Sequence, residues 1–180
     1  MIKKFVNDNL EKIINDKNII ETHNQIISCL HLVDLHGDIL DIGERNPLTG
    51  KIEKEFNVKC DSAEGDFNYE LITPKDKYDV IVCSHVIEHV VNALTLLNNM
   101  KSILKENGSI IIAYPIRFKT NPKHYYEIPL DRFYLLLEEA GLRKTKFFNL
   151  SGYFGNYLGI RPIIRAFYDR NYIFEVTKEA

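Results

Sequence analysis

Residues able to bind or react gather at four places in this chain. Asp41-Ile-Gly43 closes a short apolar run and reads on into Glu44, Arg45, Asn46 and Pro47. Asp61 comes 20 residues after Asp41, with Glu64 and Gly65-Asp66 close behind. Ser84-His85-Val-Ile-Glu88-His89 follows a second apolar run, and His124-Tyr125-Tyr126-Glu127 follows a third. Each pattern has a chemical meaning. A glycine at a strand end lets the backbone N–H groups approach a ligand with no Cβ in the way. A carboxylate about 20 residues further on can accept hydrogen bonds from ribose hydroxyls. Two imidazoles and a carboxylate at i, i+3 and i+4 can share a zinc ion and its water, and a single histidine can act as a general base.

The elements that must position these residues are legible from periodicity and punctuation. Residues 2–30 carry Phe5, Leu10, Ile13, Ile14, Ile19, Ile20, Ile26 and Ile27 at helical spacing among polar residues. Residues 38–43 read as a strand. Asn46 is a good N-cap and Pro47 suits a first helical position, which predicts a helix over 47–56. Residues 57–61 and 78–83 read as further strands, the latter apolar enough to be buried on both faces. Val90, Leu94, Leu97, Met100, Ile103 and Leu104 make one stripe, predicting a helix over 86–106 that stops at Asn107-Gly108. A strand over 109–114 closed by Pro115, a helix over 130–140 ending at Gly141, strands over 144–150 and 172–177, and a helix over 159–167 complete the chain. Strands alternating with helices imply βαβ units, a mainly parallel sheet and ligands outside the carboxyl ends of the strands.

Composition narrows the classes. The 180 residues suit one domain, with 1–36 as a helical segment and 37–180 as the core. Net charge is −2, and Lys and Arg are dispersed, so neither nucleic acid nor an anionic membrane is an expected partner. No apolar run approaches the roughly 20 residues of a membrane span, and the first 16 residues lack a secretory apolar core. Cys29, Cys60 and Cys83 are odd in number and form no CxxC, which fits a reducing cytoplasm.

The stretch YDVIVCSHVIEHVVNALTLLNNMKSILKENGSIIIAYP, residues 78–115, resembles the fourth strand, following helix and fifth strand of the class I S-adenosylmethionine-dependent methyltransferases. With DILDIG before it and HYYEIPLDRFYLLLEEAGL after it, the resemblance covers roughly 37–150. It implies a Rossmann-like three-layer sandwich with a mostly parallel sheet, an antiparallel C-terminal strand and flanking helices. It also implies S-adenosylmethionine as cofactor and a methyl acceptor, here expected to be a small molecule. Asp41 and Gly43 match the family's Asp-x-Gly at the first strand, although the further glycines usual in the family are replaced by Glu44, Arg45, Asn46 and Pro47. In that loop Arg45 is placed to pair with the methionyl carboxylate and Glu44 with its ammonium. Asp61 matches the ribose-binding acid, with Glu64 or Asp66 as alternatives. Gly65-Asp66 resembles the third-strand pair that meets the adenine amino group, and Ser84 and His85 fall in the loop between cofactor and acceptor.

His85-Val-Ile-Glu88-His89 also matches the H-x-x-E-H pattern of inverted zinc peptidases. Its position directly after a buried strand, and the lack of an evident third ligand downstream, argue against that chemistry, and no metal ligands are assigned. Methyl transfer from a sulfonium is an in-line displacement that positioning and water exclusion can drive, so no catalytic triad is required. His85 and His124 are the candidate bases or acceptor contacts. The aromatic residues Tyr153, Phe154, Tyr157, Phe167, Tyr168, Tyr172 and Phe174 are expected to fill core rather than line a cavity. The departure from glycine at 44–47 leaves a second expectation, a non-catalytic binding or assembly protein on the same fold.

Overall fold

The chain is described by a computed structural model over residues 16–117, 124–125, 127–152, 155 and 158–179. Helix α1 (Lys17–Leu30) starts at Asp16, whose side chain accepts from the N–H groups of Asn18 and Ile19. Strand β1 (Ile39–Asp41) is fully buried and leads through the Gly43 turn into α2 (Pro47–Phe56). That helix begins with a capping box. The Asn46 side chain accepts from Leu48 and Thr49 N–H, and the Thr49 hydroxyl accepts from Asn46 N–H. It ends at Asn57, which takes the left-handed conformation at φ 52°. Next come β2 (Cys60–Ser62), β3 (Tyr78–Ser84), a single 3-10 turn at Ile87–His89, α3 (Ala93–Ile103) and β4 (Leu104–Ile116). Helix α4 (Leu130–Glu139), β5 (Leu142–Ser151), α5 (Ile160–Tyr168) and β6 (Arg170–Lys178) follow.

The strands form one sheet in the order β2-β1-β3-β4-β6-β5. β2, β1, β3 and β4 run parallel, and β6 runs antiparallel between β4 and β5. Alternate side chains of each central strand feed opposite faces. Ile81, Cys83, Ile110, Ile112 and Phe174 pack with Leu96, Leu97 and Met100 of α3 and Phe133 and Leu137 of α4. Val80, Val82, Ile111 and Ile173 pack with Ile26 and Leu30 of α1 and Leu48 and Ile52 of α2. The result is a three-layer α/β sandwich, as the alternation of elements implies. Tyr172 and Phe174 join the core, whereas Phe167 and Tyr168 on α5 are exposed. Tyr153, Phe154 and Tyr157 lie outside the described residues, as do Phe5, Leu10, Ile13 and Ile14. Among the described residues, no helix is long and apolar enough to cross a membrane.

Two local expectations are corrected. The helix expected over 86–106 is interrupted: Ile87–His89 is a 3-10 turn, and Asn92 caps a separate α3 by accepting from Thr95 N–H. Gly108 is not a left-handed helix stop, because strand β4 already begins at Leu104 and passes through it. Glycine is needed there by close approach. A Cβ at 108 would stand 2.7 Å from the Asp79 carbonyl oxygen and 2.8 Å from Leu104 Cδ1, where β3 and β4 shift register.

This contrast gives a test with opposite signs at two glycines. Gly108→Ala should destabilise by about 1–3 kcal/mol through overpacking against backbone. Gly50→Ala, in the interior of α2 with open space around it, should stabilise by roughly 0.5–1 kcal/mol. Denaturant midpoints for the two variants that move in the same direction would contradict this packing.

Candidate functional site

The carboxyl ends of β1, β3 and β4 meet in one region, and the residues that follow those strands build it. Asp41 ends β1 and is 2% exposed. Its Oδ2 accepts from the Thr49 hydroxyl at 2.5 Å and from Asn46 Nδ2 at 3.4 Å. Asn46 Nδ2 also donates to the Glu44 carbonyl. One carboxylate therefore ties the strand end, the turn and the first turn of α2 together. Burial lifts the Asp41 carboxyl to about 7, against the opposing pull of Thr49, Asn46 and Arg45.

That brace leaves the glycine bare. Gly43 has φ 120°, and a Cβ there would meet nothing within 4 Å. The four residues that replace the family's small ones do not fill the space. Arg45 turns to Glu53, with both terminal nitrogens on the two carboxylate oxygens, and Glu53 also accepts from Cys60 N–H. Arg45 thus fastens the loop to α2, instead of presenting a free guanidinium for a ligand carboxylate. Asn46 and Pro47 start α2. Glu44 is half-buried at the turn.

β2 places its acidic residues differently from the sequence expectation. Asp61 lies within the strand, opposite Leu40, and its Oδ2 takes the Tyr78 hydroxyl at 3.2 Å and Lys75 Nζ at 3.1 Å. Lys75 also pairs with Asp38, the residue before β1, and Lys105 joins Asp38 to Asp79. Asp61 therefore belongs to an ionic network whose other members, Asp38, Asp79, Lys75 and Lys105, lie toward the amino ends of the strands. Asp66 sits in a turn, accepting from Asn68 N–H and Nδ2, which hold its carboxyl below the usual range. The segment between β2 and β3 contributes a single antiparallel bridge, Glu64 to Ile72, where the resemblance implies a strand. Ser62 stands opposite Asp41, and Ala63 and Glu64 continue to the carboxyl edge, with Glu64 exposed.

At the end of β3, Ser84 pairs with Ala113 and His85 donates its N–H to Ala113 O. His85 holds φ 55°, a left-handed backbone that non-glycine residues adopt where surrounding structure enforces it. Its Nδ1 lies 3.3 Å from Glu88 Oε1, and its Nε2 is buried without a hydrogen-bond partner. The Glu88 side chain is 2% exposed. Burial opposes its ionisation, but His85 and His89 pull the other way, and the balance lies below the ordinary carboxylate value. Because His85 sits at the strand junction and Glu88 and His89 in a 3-10 turn, the i, i+4 helical pairing of the two imidazoles does not form. His124 is brought instead to His89, ring centroids 4.9 Å apart, while Tyr125 N–H donates to Glu88 O.

Two contributors had no signal in the sequence. His23 on α1 lies within electrostatic reach of His85 and Lys51, and burial, then those two groups, push its imidazole down to about 4. Arg117, just after β4, donates to Asn171 Oδ1 and the Arg170 carbonyl, and Asn171 Nδ2 reaches Gln25 on α1. These contacts hold α1 over the site. Their residues are scattered through the chain, and their meeting depends on the docking of α1.

Against this geometry, the model of a methyltransferase domain matches residues 17–151. The chain belongs to this methyltransferase-domain family. A S-adenosylmethionine-dependent methyltransferase from Archaeoglobus fulgidus superposes on the methyltransferase domain with TM-score 0.61 and 14% identity, covering 96% of this chain and 99% of that one. The phosphoethanolamine N-methyltransferase 2 of Haemonchus contortus, solved with phosphomonomethylethanolamine and S-adenosylhomocysteine, gives TM-score 0.61 at 13% identity, covering 87% of this chain and 53% of that one. A ubiquinone biosynthesis O-methyltransferase of Glaesserella parasuis is 40% identical over 42 residues, 23% of this chain and 18% of that protein. The methyltransferase domain thus aligns with less than a fifth of that relative's length.

The buried carboxyl of Asp41 makes stability depend on pH. Its folded value of about 7 exceeds the unfolded value of about 3.9, so the folded chain holds the extra proton between those limits. The contribution of Asp41 to stability therefore falls as pH rises through that window. Asp41→Asn should remove the fall, so that the Tm of the variant gains on the parent from about pH 4 to about pH 8. Parallel Tm curves over that range would contradict the raised value.

Proposed function

We propose that this methyltransferase domain binds S-adenosylmethionine against the bare face of Gly43 and transfers its methyl group to a small-molecule acceptor. The observation that carries the reading is the open glycine at the end of β1, in a chain whose family is that of methyltransferases. The relatives in Archaeoglobus and Haemonchus support it by fold, the second with S-adenosylhomocysteine bound. The cofactor supplies a methyl group already activated on a sulfonium.

The chain's own residues then bind, orient and exclude water. Asp41 acts by position, holding the turn open through Thr49 and Asn46, since at 2% exposure it has little surface for a ligand. The Gly43 backbone approaches the amino-acid end of the cofactor, and Glu44 is placed for its ammonium. Glu64, at the carboxyl edge after β2, takes the ribose role in place of Asp61. Ser84 and His85 face the transfer, and the unpartnered Nε2 of His85 is the group on hand to accept a proton from a hydroxyl or amine acceptor. His23 stays neutral at physiological pH, so a positively charged sulfonium meets no second cation from α1. Aligning methyl and acceptor beneath α1 supplies the effect that such a displacement needs.

Titration calorimetry with S-adenosylmethionine and S-adenosylhomocysteine tests this reading. Dissociation constants on the order of micromolar are expected. Gly43→Val, strained at φ 120° and filling the cradle, should weaken binding by at least about tenfold, roughly 1.4 kcal/mol. Glu64→Ala should weaken it as well, whereas Asp61→Asn should change it little. Failure of the folded parent to bind either compound would overturn the proposal.

A further inference from the structure

Methyl transfer uses His85 of the H-x-x-E-H segment but not Glu88 or His89, and the fold gives those two a different companion. Glu88, His89 and His124 each offer one ligand atom, and among the described residues these three atoms lie within 4.8 Å of one another. Glu88 is the decisive member. Its side chain is 2% exposed, His85 Nδ1 stands at 3.3 Å from Oε1, and Oε2 accepts no hydrogen bond among the described residues. Leaving a buried carboxylate so poorly satisfied is costly unless a cation completes it. His124 is oriented from behind, since its Nδ1 meets Glu127 Oε1 at 3.4 Å and its side chain is 7% exposed. A histidine whose Nδ1–H is held by a carboxylate presents the Nε2 lone pair, the arrangement that orients metal-bound imidazoles. The Tyr125 N–H to Glu88 O bond fixes the loop that carries His124 against the 3-10 turn that carries the other two.

We propose that Glu88, His89 and His124 form a binding site for one first-row divalent transition-metal ion, with Glu127 as the positioning residue of His124. Two imidazoles and one carboxylate suit zinc and its neighbours better than magnesium or calcium, which prefer all-oxygen ligands. Bonds of about 2.0–2.1 Å require the three donor atoms to close to about 3.4 Å in a tetrahedral ion, a movement within side-chain reach. Three protein donors leave a fourth position for a non-protein ligand. His85 is outside the set, which distinguishes this site from the zinc-peptidase pattern. The site does not depend on cofactor binding.

Cobalt(II) and zinc(II) titrated into chelator-stripped full-length protein test the proposal, read by cobalt d–d absorption, by calorimetry and by metal content after dialysis. One tightly held ion per chain is expected, with the intense visible bands of a four-coordinate site. His89→Ala and His124→Ala should each lower affinity by at least about tenfold, and Glu127→Gln by roughly 10–100-fold. His36→Ala, at an exposed position before β1, should change nothing. Circular dichroism and the denaturant midpoint of the metal-free variants check that each is folded. No stoichiometric ion on the folded parent would overturn the proposal. So would unchanged affinity in both folded histidine variants, or loss of binding in His36→Ala. Calorimetry with S-adenosylhomocysteine on the same stripped protein keeps this outcome separate from the cofactor reading.

Discussion

A buried carboxylate at the end of β1 governs the geometry of the candidate site. Asp41 must find donors because it is out of water, and the nearest are the hydroxyl of Thr49 and the amide of Asn46 in the next helix. Those same two residues form the capping box that starts α2. Strand end, turn and helix start are therefore one hydrogen-bonded unit, and the unit dictates that the chain between them bulges outward at Gly43. Arg45 is drawn the other way by Glu53, which also holds the first residue of β2. The open face of Gly43 remains once Asp41, Arg45, Asn46 and Thr49 have been claimed by structure.

The opposite wall is set by strain and burial. β3 delivers His85 in a left-handed conformation, and the 3-10 turn after it buries Glu88 beneath the loop carrying His124. Helix α1 closes the region through Gln25, Asn171 and Arg117, and brings His23 toward His85. Imidazoles from three segments and the buried Glu88 carboxylate thus gather at this wall. The ionic network that Asp61 joins has its other members, Asp38, Asp79, Lys75 and Lys105, toward the amino ends of the strands. Half-exposed pairs of that kind contribute little energy each, but they set where Asp61 points.

Local rules read the scaffold well. Asn46-Pro47 located α2 to the residue, and the unbroken apolar run from Tyr78 to Cys83 marked the central strand, because capping and two-sided burial are written within a few neighbouring residues. Periodicity could not see that Asn92 restarts a helix, since the stripe runs on through the break. Gly108 differs from its expected role for a related reason: a glycine required by the closeness of the Asp79 carbonyl looks in sequence like one required by dihedral angle. The acidic residue on β2 was visible, but its direction depends on Lys75 and Tyr78, which approach from another strand and loop. His23 and the meeting of His124 with His89 arise from tertiary docking between distant segments, and no spacing rule contains them.

Amide chemical shifts of the labelled protein during titration with S-adenosylhomocysteine test the central claim most directly. If the cofactor lies over the bare glycine beneath α1, the largest changes fall on Gly43 to Asn46 apart from Pro-preceding effects, on Ala63 and Glu64, on Ser84 to Glu88, and on His23. Asp61 and the residues around Lys105 should move little. Saturable binding whose shifts spare Gly43, Glu44 and His85, or center on the amino ends of the strands, would contradict the account.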